Sequence, residues 1–303
     1  MIELASVSKV YVNLFRTRRV QALADFSVNI ARGEVFGIAG PNGAGKSTML
    51  SIILGYLHPS SGRATIDGQA PRHFIERHGV AYLTELVAIP PRWTTESALR
   101  RYAALSNLPS RHARARVESA ITSLGLEEHR KKQVRQLSKG NLQRLGLAQA
   151  LLADSDLIIF DEPTHGLDPV WTQRFRDIVS ELRQPTRTII IASHNLDELE
   201  RLTDRVAILS QGRLQRVVAS GGTNARGGAY RLTLAEPVPA LLEFFPEALP
   251  VDGRSQEFHV EGSIVDLNQR LAGLLASGAV VTSFYPEQSR LETEFRAAVG
   301  ENG

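Results

Sequence analysis

The chain of 303 residues is long enough for two domains of about 100–200 residues each, and its 43% hydrophobic and 22% charged residues are ordinary for a globular protein. It has no cysteine, which excludes disulfides and cysteine-held zinc and suits a reducing compartment. The net charge of +3 is unevenly spread: from Gly221 onward six Arg and no Lys face eleven Asp or Glu, net −5, so residues 1–220 carry +8.

From the N-terminus, Arg16, Arg18 and Arg19 follow only scattered apolar residues, so no secretory leader is expected. No apolar run approaches the roughly 18 residues that crossing a bilayer needs. Work at a membrane would therefore require another chain to supply the membrane part.

Residues 1–220 alternate strands and helices. Strands are predicted at 2–7, 26–30, 35–39, 79–83, 157–160, 188–192 and 205–209, rich in Val and Ile. Segments 157–160 and 188–192 are apolar throughout, as expected of strands covered on both faces. Helices are predicted at 46–55, 95–106, 111–124, 141–153, 170–182 and 195–202. The alternation predicts an α/β fold with a mainly parallel sheet. The stretch 94–135 breaks it with consecutive basic helices, so a helical subdomain, about 94–153, is expected as an insert. Its basic surface reads first as a solvated face. After a glycine-rich join at 220–228 the pattern restarts: strand 230–234, helix 238–245, strand 258–261, helix 264–276, strand 280–285 and helix 290–299. This predicts domains at 1–219 and 225–303, the second a small C-terminal α/β domain.

The first chemical motif lies at the end of the strand predicted at 35–39. Gly40, Pro41, Asn42, Gly43, Ala44, Gly45, Lys46, Ser47 and Thr48 fit the P-loop pattern G-x-x-x-x-G-K-[ST]. Its glycines let backbone N–H groups turn inward around an anion, and the following helix aims its N-terminus at the same point. Lys46 is expected to reach the β- and γ-phosphates, and Ser47 to ligate Mg²⁺. Further on, an apolar strand ends in Asp161 and Glu162. Parallel α/β sheets place ligands at that strand end. Asp161 is expected to hold Mg²⁺ and Glu162 to polarise the attacking water as general base.

A P-loop alone leaves kinases, GTPases and other NTPases open. Four more segments narrow the choice: Leu137-Ser-Lys-Gly-Asn141 with Leu142-Gln-Arg-Leu after it, Thr164-His-Gly-Leu-Asp-Pro169, Ser193-His194, and Tyr82-Leu-Thr-Glu85. In order and spacing they resemble the signature, D-loop, switch histidine and Q-loop of the ATP-binding cassette family over about residues 1–217. The nearest resemblance is to the ATPases of ABC-2-type exporters.

The resemblance implies a P-loop NTPase cassette that binds and hydrolyses ATP with Mg²⁺ and energises a separate integral membrane permease. It implies a homodimer in which two chains sandwich ATP head to tail, Ser138 and the Gly140 N–H of one closing over the γ-phosphate held by the other. Asp168 is expected to contact the dimer partner, besides capping a helix with Pro169. His194 is expected to bond the γ-phosphate, beside Asn195 and Glu198, which form a start like a capping box. Tyr11 aligns with the aromatic that stacks on adenine, with Phe15 as rival. The expected location is the cytoplasmic face of the membrane. The alternative is a soluble cassette ATPase acting on ribosomes or DNA. Such proteins carry two cassettes, zinc cysteines or long coiled coils, which this sequence lacks, and no nucleic-acid partner is expected.

Three positions depart from the family pattern. The Q-loop place holds Thr84 and Glu85 with no Gln, so Glu85 would approach the metal by carboxylate. Lys139 and Asn141 replace Gly and Gln in the signature. His165 replaces a small D-loop residue. Lys46, Asp161, Glu162 and His194 remain, so an active ATPase is expected. The C-terminal ending resembles the strand–helix tail that follows exporter cassettes, implying a regulatory or dimer-supporting role.

Overall fold

A computed structural model describes residues 1–12, 19–106, 110–220, 228–251, 254–286 and 290–300. The expected rival Phe15 and most of the glycine-rich join lie outside these residues.

The organising element is a six-stranded sheet in the order β5-β6-β7-β3-β8-β9. It comprises β3 (Val35–Ala39), β5 (Ala81–Leu83), β6 (Leu157–Asp161), β7 (Thr188–Ser193), β8 (Arg205–Ser210) and β9 (Arg213–Ala219). All neighbours run parallel except the β8–β9 hairpin at one edge. Every residue of β3, β6 and β7 is buried, which explains their unbroken apolar sequences. Helix α1 (Lys46–Ile53) follows β3, α6 (Pro169–Leu182) connects β6 to β7, and α7 (Leu196–Leu202) connects β7 to β8.

A second sheet is antiparallel, in the order β2-β1-β4, from β1 (Ile2–Val12), β2 (Arg19–Ile30) and β4 (Ser61–Ile66). Phe26, Val28 and Ile30 alternate inward from β2 and join Phe36, Met49 and Leu50 in one core. Strand β4, strand β9 and helix α2 (Pro71–His78) were not expected from sequence. Both strands are largely polar and exposed and lie at sheet edges, where a dense apolar run is not needed. Helix α2 buries only Phe74.

The helical insert contains α3 (Thr95–Leu105), α4 (Ser110–Ser123), short 3₁₀ turns at Glu127–His129 and Val134–Gln136, and α5 (Lys139–Ala150). Thr94 and Ser97 cap α3 reciprocally. The part of the insert before α5 is closed on itself. Thr94 bridges Gln133, Thr95 N–H donates to Lys132 O at 3.0 Å, and Val134 N–H donates to Trp93 O at 2.8 Å. Inside, Arg130 pairs with Glu118 and Glu96.

Contacts divide the chain into two compact units, Met1–Ser220 with Phe295–Gly303, and Gly221–Glu294. The second has its own antiparallel sheet in the order β11-β12-β10-β13, from β10 (Gly228–Leu234), β11 (Leu249–Val251), β12 (Arg254–Gly262) and β13 (Val281–Pro286). With α8 (Leu241–Phe244) and α9 (Ile264–Ala276) it follows the strand–helix–strand–strand–helix–strand order of ferredoxin-like units. Leu232, Phe245, Val260, Leu267 and Leu274 fill its core. The helix expected over 238–245 shortens to α8. A last helix, α10 (Arg290–Val299), follows β13. Among the described residues no helix is long and apolar enough to cross a membrane.

Candidate functional site

The site forms at the C-terminal ends of β3, β6 and β7, which lie side by side. Strand β3 delivers the loop from Gly40 to Thr48, and α1 begins at Lys46. Gly45 caps α1 with φ +106°, and a Cβ there would lie 2.6 Å from Ala22 O. Only glycine fits both the angle and the approach. Gly43 has φ +82°, and a Cβ there would meet nothing within 4 Å, so its backbone angle rather than crowding favours glycine. Ala44 is buried, whereas Pro41, Asn42 and Ser47 are exposed. The β8–β9 turn braces the loop: Gly212 N–H donates to Ala44 O at 3.0 Å, and Gly212 O accepts from Ala24 N–H at 2.8 Å.

Lys46 is buried under this loop. Its Nζ donates to Gly40 O at 2.6 Å and lies 3.8 Å from Glu162 Oε1. Tyr11, half-exposed at the end of β1, brings its hydroxyl to 3.4 Å from Thr48 Oγ1, while Lys9 Nζ lies 5.7 Å from the centre of its ring.

Strand β6 ends with Asp161 and Glu162, both buried. Burial first, then the charges of Glu85 and Glu162, push the Asp161 carboxyl up to about 6, with Lys46 opposing. Tyr82 on the adjacent β5 is pushed up to about 12, by burial and then by Asp161. Glu85 thus stands near enough to Asp161 to act on it electrostatically. The neighbouring Thr84 turns its hydroxyl to Leu86 O at 2.8 Å.

Glu162 has φ +50°, a left-handed conformation uncommon outside glycine. Its N–H donates to Ala192 O at 2.9 Å. Its carboxylate accepts from Ser193 Oγ at 3.2 Å, His194 N–H at 3.1 Å and His194 Nδ1 at 2.8 Å. Ser193 escaped the sequence reading of the site, although it stood beside His194. Asn195 caps α7 by accepting from Glu198 N–H at 3.2 Å. The reciprocal half of the expected capping box does not form, because Glu198 pairs with Arg176 instead.

Ser138, Gly140 and Asp168 form a second group with local bonds. Helix α5 starts at Lys139, two residues before the expected Asn141, because the Ser138 hydroxyl accepts from Asn141 N–H at 3.2 Å and caps it there. The N–H groups of Lys139 and Gly140 therefore belong to the first turn, where helical partners are lacking. Asp168 caps α6, accepting from Trp171 N–H at 2.9 Å, with Pro169 first in the helix. Two departures from the expected pattern meet here: Lys139 Nζ lies 2.8 Å from His165 Nε2. Asn141 contacts His129 Nε2 at 2.9 Å and also Arg144, which stacks over Trp171.

The arrangement places a glycine-rich loop at a helix N-terminus over a buried cation, with a carboxylate and an imidazole beside it. That geometry suits polyphosphate binding and activation of a water by Glu162.

A family model described as ABC transporter matches residues 23–165. An uncharacterized ABC transporter ATP-binding protein of Nostoc sp. is 40% identical over 69% of this chain, which spans 64% of that protein's length. The ABC transporter ATP-binding protein NatA of Bacillus subtilis is 35% identical over 71% of this chain and 87% of its own. A solved dimeric bacterial ABC transporter cassette superposes with a TM-score of 0.67 at 26% identity, covering 73% of this chain and all of the other.

Proposed function

Because this chain belongs to the ABC transporter family, we propose that it is the ATP-hydrolysing subunit of an exporter, driving a separate membrane permease through an ATP-dependent homodimer. The observation that carries this reading is the meeting of Lys46, Glu162 and His194 at the mouth of the P-loop.

The donor set fits ATP with a hydrated divalent cation. Asp161, Glu85 and Glu162 crowd negative charge that Lys46 opposes, and an added cation relieves it. Among the described residues no group of three or more His, Cys, Asp or Glu could hold a metal by itself. This suits Mg²⁺, which keeps waters and phosphate oxygens in its shell. Ser47 and Asp161 would hold it, with Glu85 next to it. When bound, Mg²⁺ supplies charge stabilisation to the transferring phosphoryl group.

The chain's own residues do the rest. The loop N–H groups and Lys46 bind the β- and γ-phosphates. Glu162 takes the proton of the attacking water, its carboxylate steered by Ser193 and His194. His194 bonds Glu162 through Nδ1, which leaves Nε2 as the ring nitrogen that would bond the γ-phosphate when it carries a proton. Tyr11 packs on adenine. Ser138 and the Gly140 N–H close over the γ-phosphate bound by a second copy, and Asp168 borders that interface. Such a subunit works at the cytoplasmic face of the membrane.

ATP titration and steady-state hydrolysis test this reading. Glu162→Gln should keep ATP binding and lower turnover by about 10²–10⁴-fold. Near-wild-type turnover would remove Glu162 from the mechanism. Lys46→Ala should weaken ATP binding itself.

A further inference from the structure

Helix α5 touches the catalytic segment through one buried polar side chain that the mechanism above does not use. Gln143 is only 5% exposed, and its amide Nε2 donates to two consecutive carbonyls, Pro163 O at 3.0 Å and Glu162 O at 3.3 Å. Burying an amide costs free energy unless it finds partners, and these are the partners it finds.

The carbonyls it grips belong to the residue with the unusual backbone. Glu162 holds φ +50° at the point where the chain leaves β6, a conformation that persists only when its surroundings impose it. Ser193 and His194 fix the carboxylate end of Glu162, and β7 takes its N–H through Ala192 O. The C-terminal side of the same residue is fixed by Gln143. Helix α5 holds the following loop at two more points: Lys139 contacts His165, and Gly140 lies against Gly166, where a Cβ would approach Gly166 O to 3.0 Å.

We propose that Gln143 is a positioning residue for hydrolysis: it clamps the Glu162 and Pro163 carbonyls, holds Glu162 in its left-handed conformation, and makes the heading of the base depend on the placement of helix α5. The proposal rests on the reading of Glu162 as general base. It assigns to α5 a role within its own subunit, distinct from any contact made by its capped N-terminus.

Two variants of the full-length protein test it. Gln143→Met keeps length and volume but removes the donor. Gln143→Glu keeps the shape but turns a carboxylate toward two carbonyl oxygens. ATP binding, thermal unfolding, and kcat and KM for ATP with Mg²⁺ are measured for each. The expected result is unchanged ATP binding and KM, with kcat lowered about 10- to 100-fold, the scale on which a small misplacement of a reacting group acts. Relative to wild type, Gln143→Glu should recover kcat as pH falls, because the protonated acid regains a donor, whereas Gln143→Met should not. Adding Gln143→Met to Glu162→Gln should slow hydrolysis no further, since the base it positions is already gone. Wild-type kcat in either variant overturns the proposal. So does loss of ATP binding or folding together with kcat in both variants, which would make Gln143 a residue of the fold only, and so does an additive loss in the double variant. If Glu162→Gln alone hydrolyses ATP at the wild-type rate, the base assignment itself fails. If Glu162→Gln is slow while Gln143→Met is fast, only the clamp fails.

Discussion

Asp161 shows how the site loads its own residues. Its carboxyl rises from 3.8 to about 6, first by burial and then by the charges of Glu85 and Glu162. Between those values the folded protein binds more protons than the unfolded chain, so stability falls as pH rises through that window. Above it the ionised carboxylate costs the nucleotide-free protein its full share. Asp161→Asn should therefore raise the melting temperature of the chelator-treated protein at neutral and alkaline pH and give no such gain near pH 3.8, where wild type also carries the proton. The same variant should lose hydrolysis. Thermal unfolding across pH, with and without the substitution, checks both signs. Gly40 to Thr48, Asp161 and His194 were legible in sequence because each lies in a short string whose chemistry is local. Gln143 was not, because its partners are 19 and 20 residues away and meet it only once α5 packs against the end of β6.

At the scale of elements, the start of α5 carries the sharpest expectation. Ser138→Ala removes the cap and should cost about 1 kcal/mol of stability. Ser138→Arg should leave ATP binding by the monomer intact and abolish cooperative hydrolysis; cooperative turnover in that variant would exclude the head-to-tail sandwich. Between α3 and α4 a cleft is lined by Arg100, Ala103, Ala113, Arg114 and Val117. With the basic surface around it, this is where we propose that the permease docks. Arg101 is poorly suited as a probe, because it stacks on Trp93 at 4.7 Å. Arg100→Glu with Arg114→Glu should uncouple ATP hydrolysis from permease stimulation in a reconstituted complex while basal hydrolysis persists. Undiminished stimulation would move the docking surface elsewhere. Strands β3, β6 and β7 were readable because burial on both faces writes itself as an apolar run. Strands β4 and β9 were not, since an edge strand can stay largely polar and exposed. Helix α2 had left just its punctuation, Pro71 at the start and Gly79 after the end.

At the scale of the whole molecule, two hydrophobic cores argue for two separable functions. Leu232, Phe245, Val260 and Leu274 belong to a core distinct from the one that holds Phe36 and Met49. A chain ending near Ser220 should fold, bind ATP and dimerise or couple less well, measured by ATP titration and by sedimentation. Loss of ATP binding in a folded truncation would show that the residues beyond Ser220 serve the nucleotide site. The second unit's α/β character was legible from its restarted strand–helix rhythm. Its sheet order was not, because strand order is fixed by long-range pairing that no local pattern encodes.

The stitched neck of the helical insert has a consequence for how the chain can vary in length. Thr94 and Gln133 are bridged, so the chain leaves and returns at nearly one point. A flexible loop between them can lengthen at little cost, since each doubling of such a loop costs only about 0.6 kcal/mol in closure entropy. The neck thus marks a place where the chain can change in length while Lys46, Asp161 and Glu162 lie outside it.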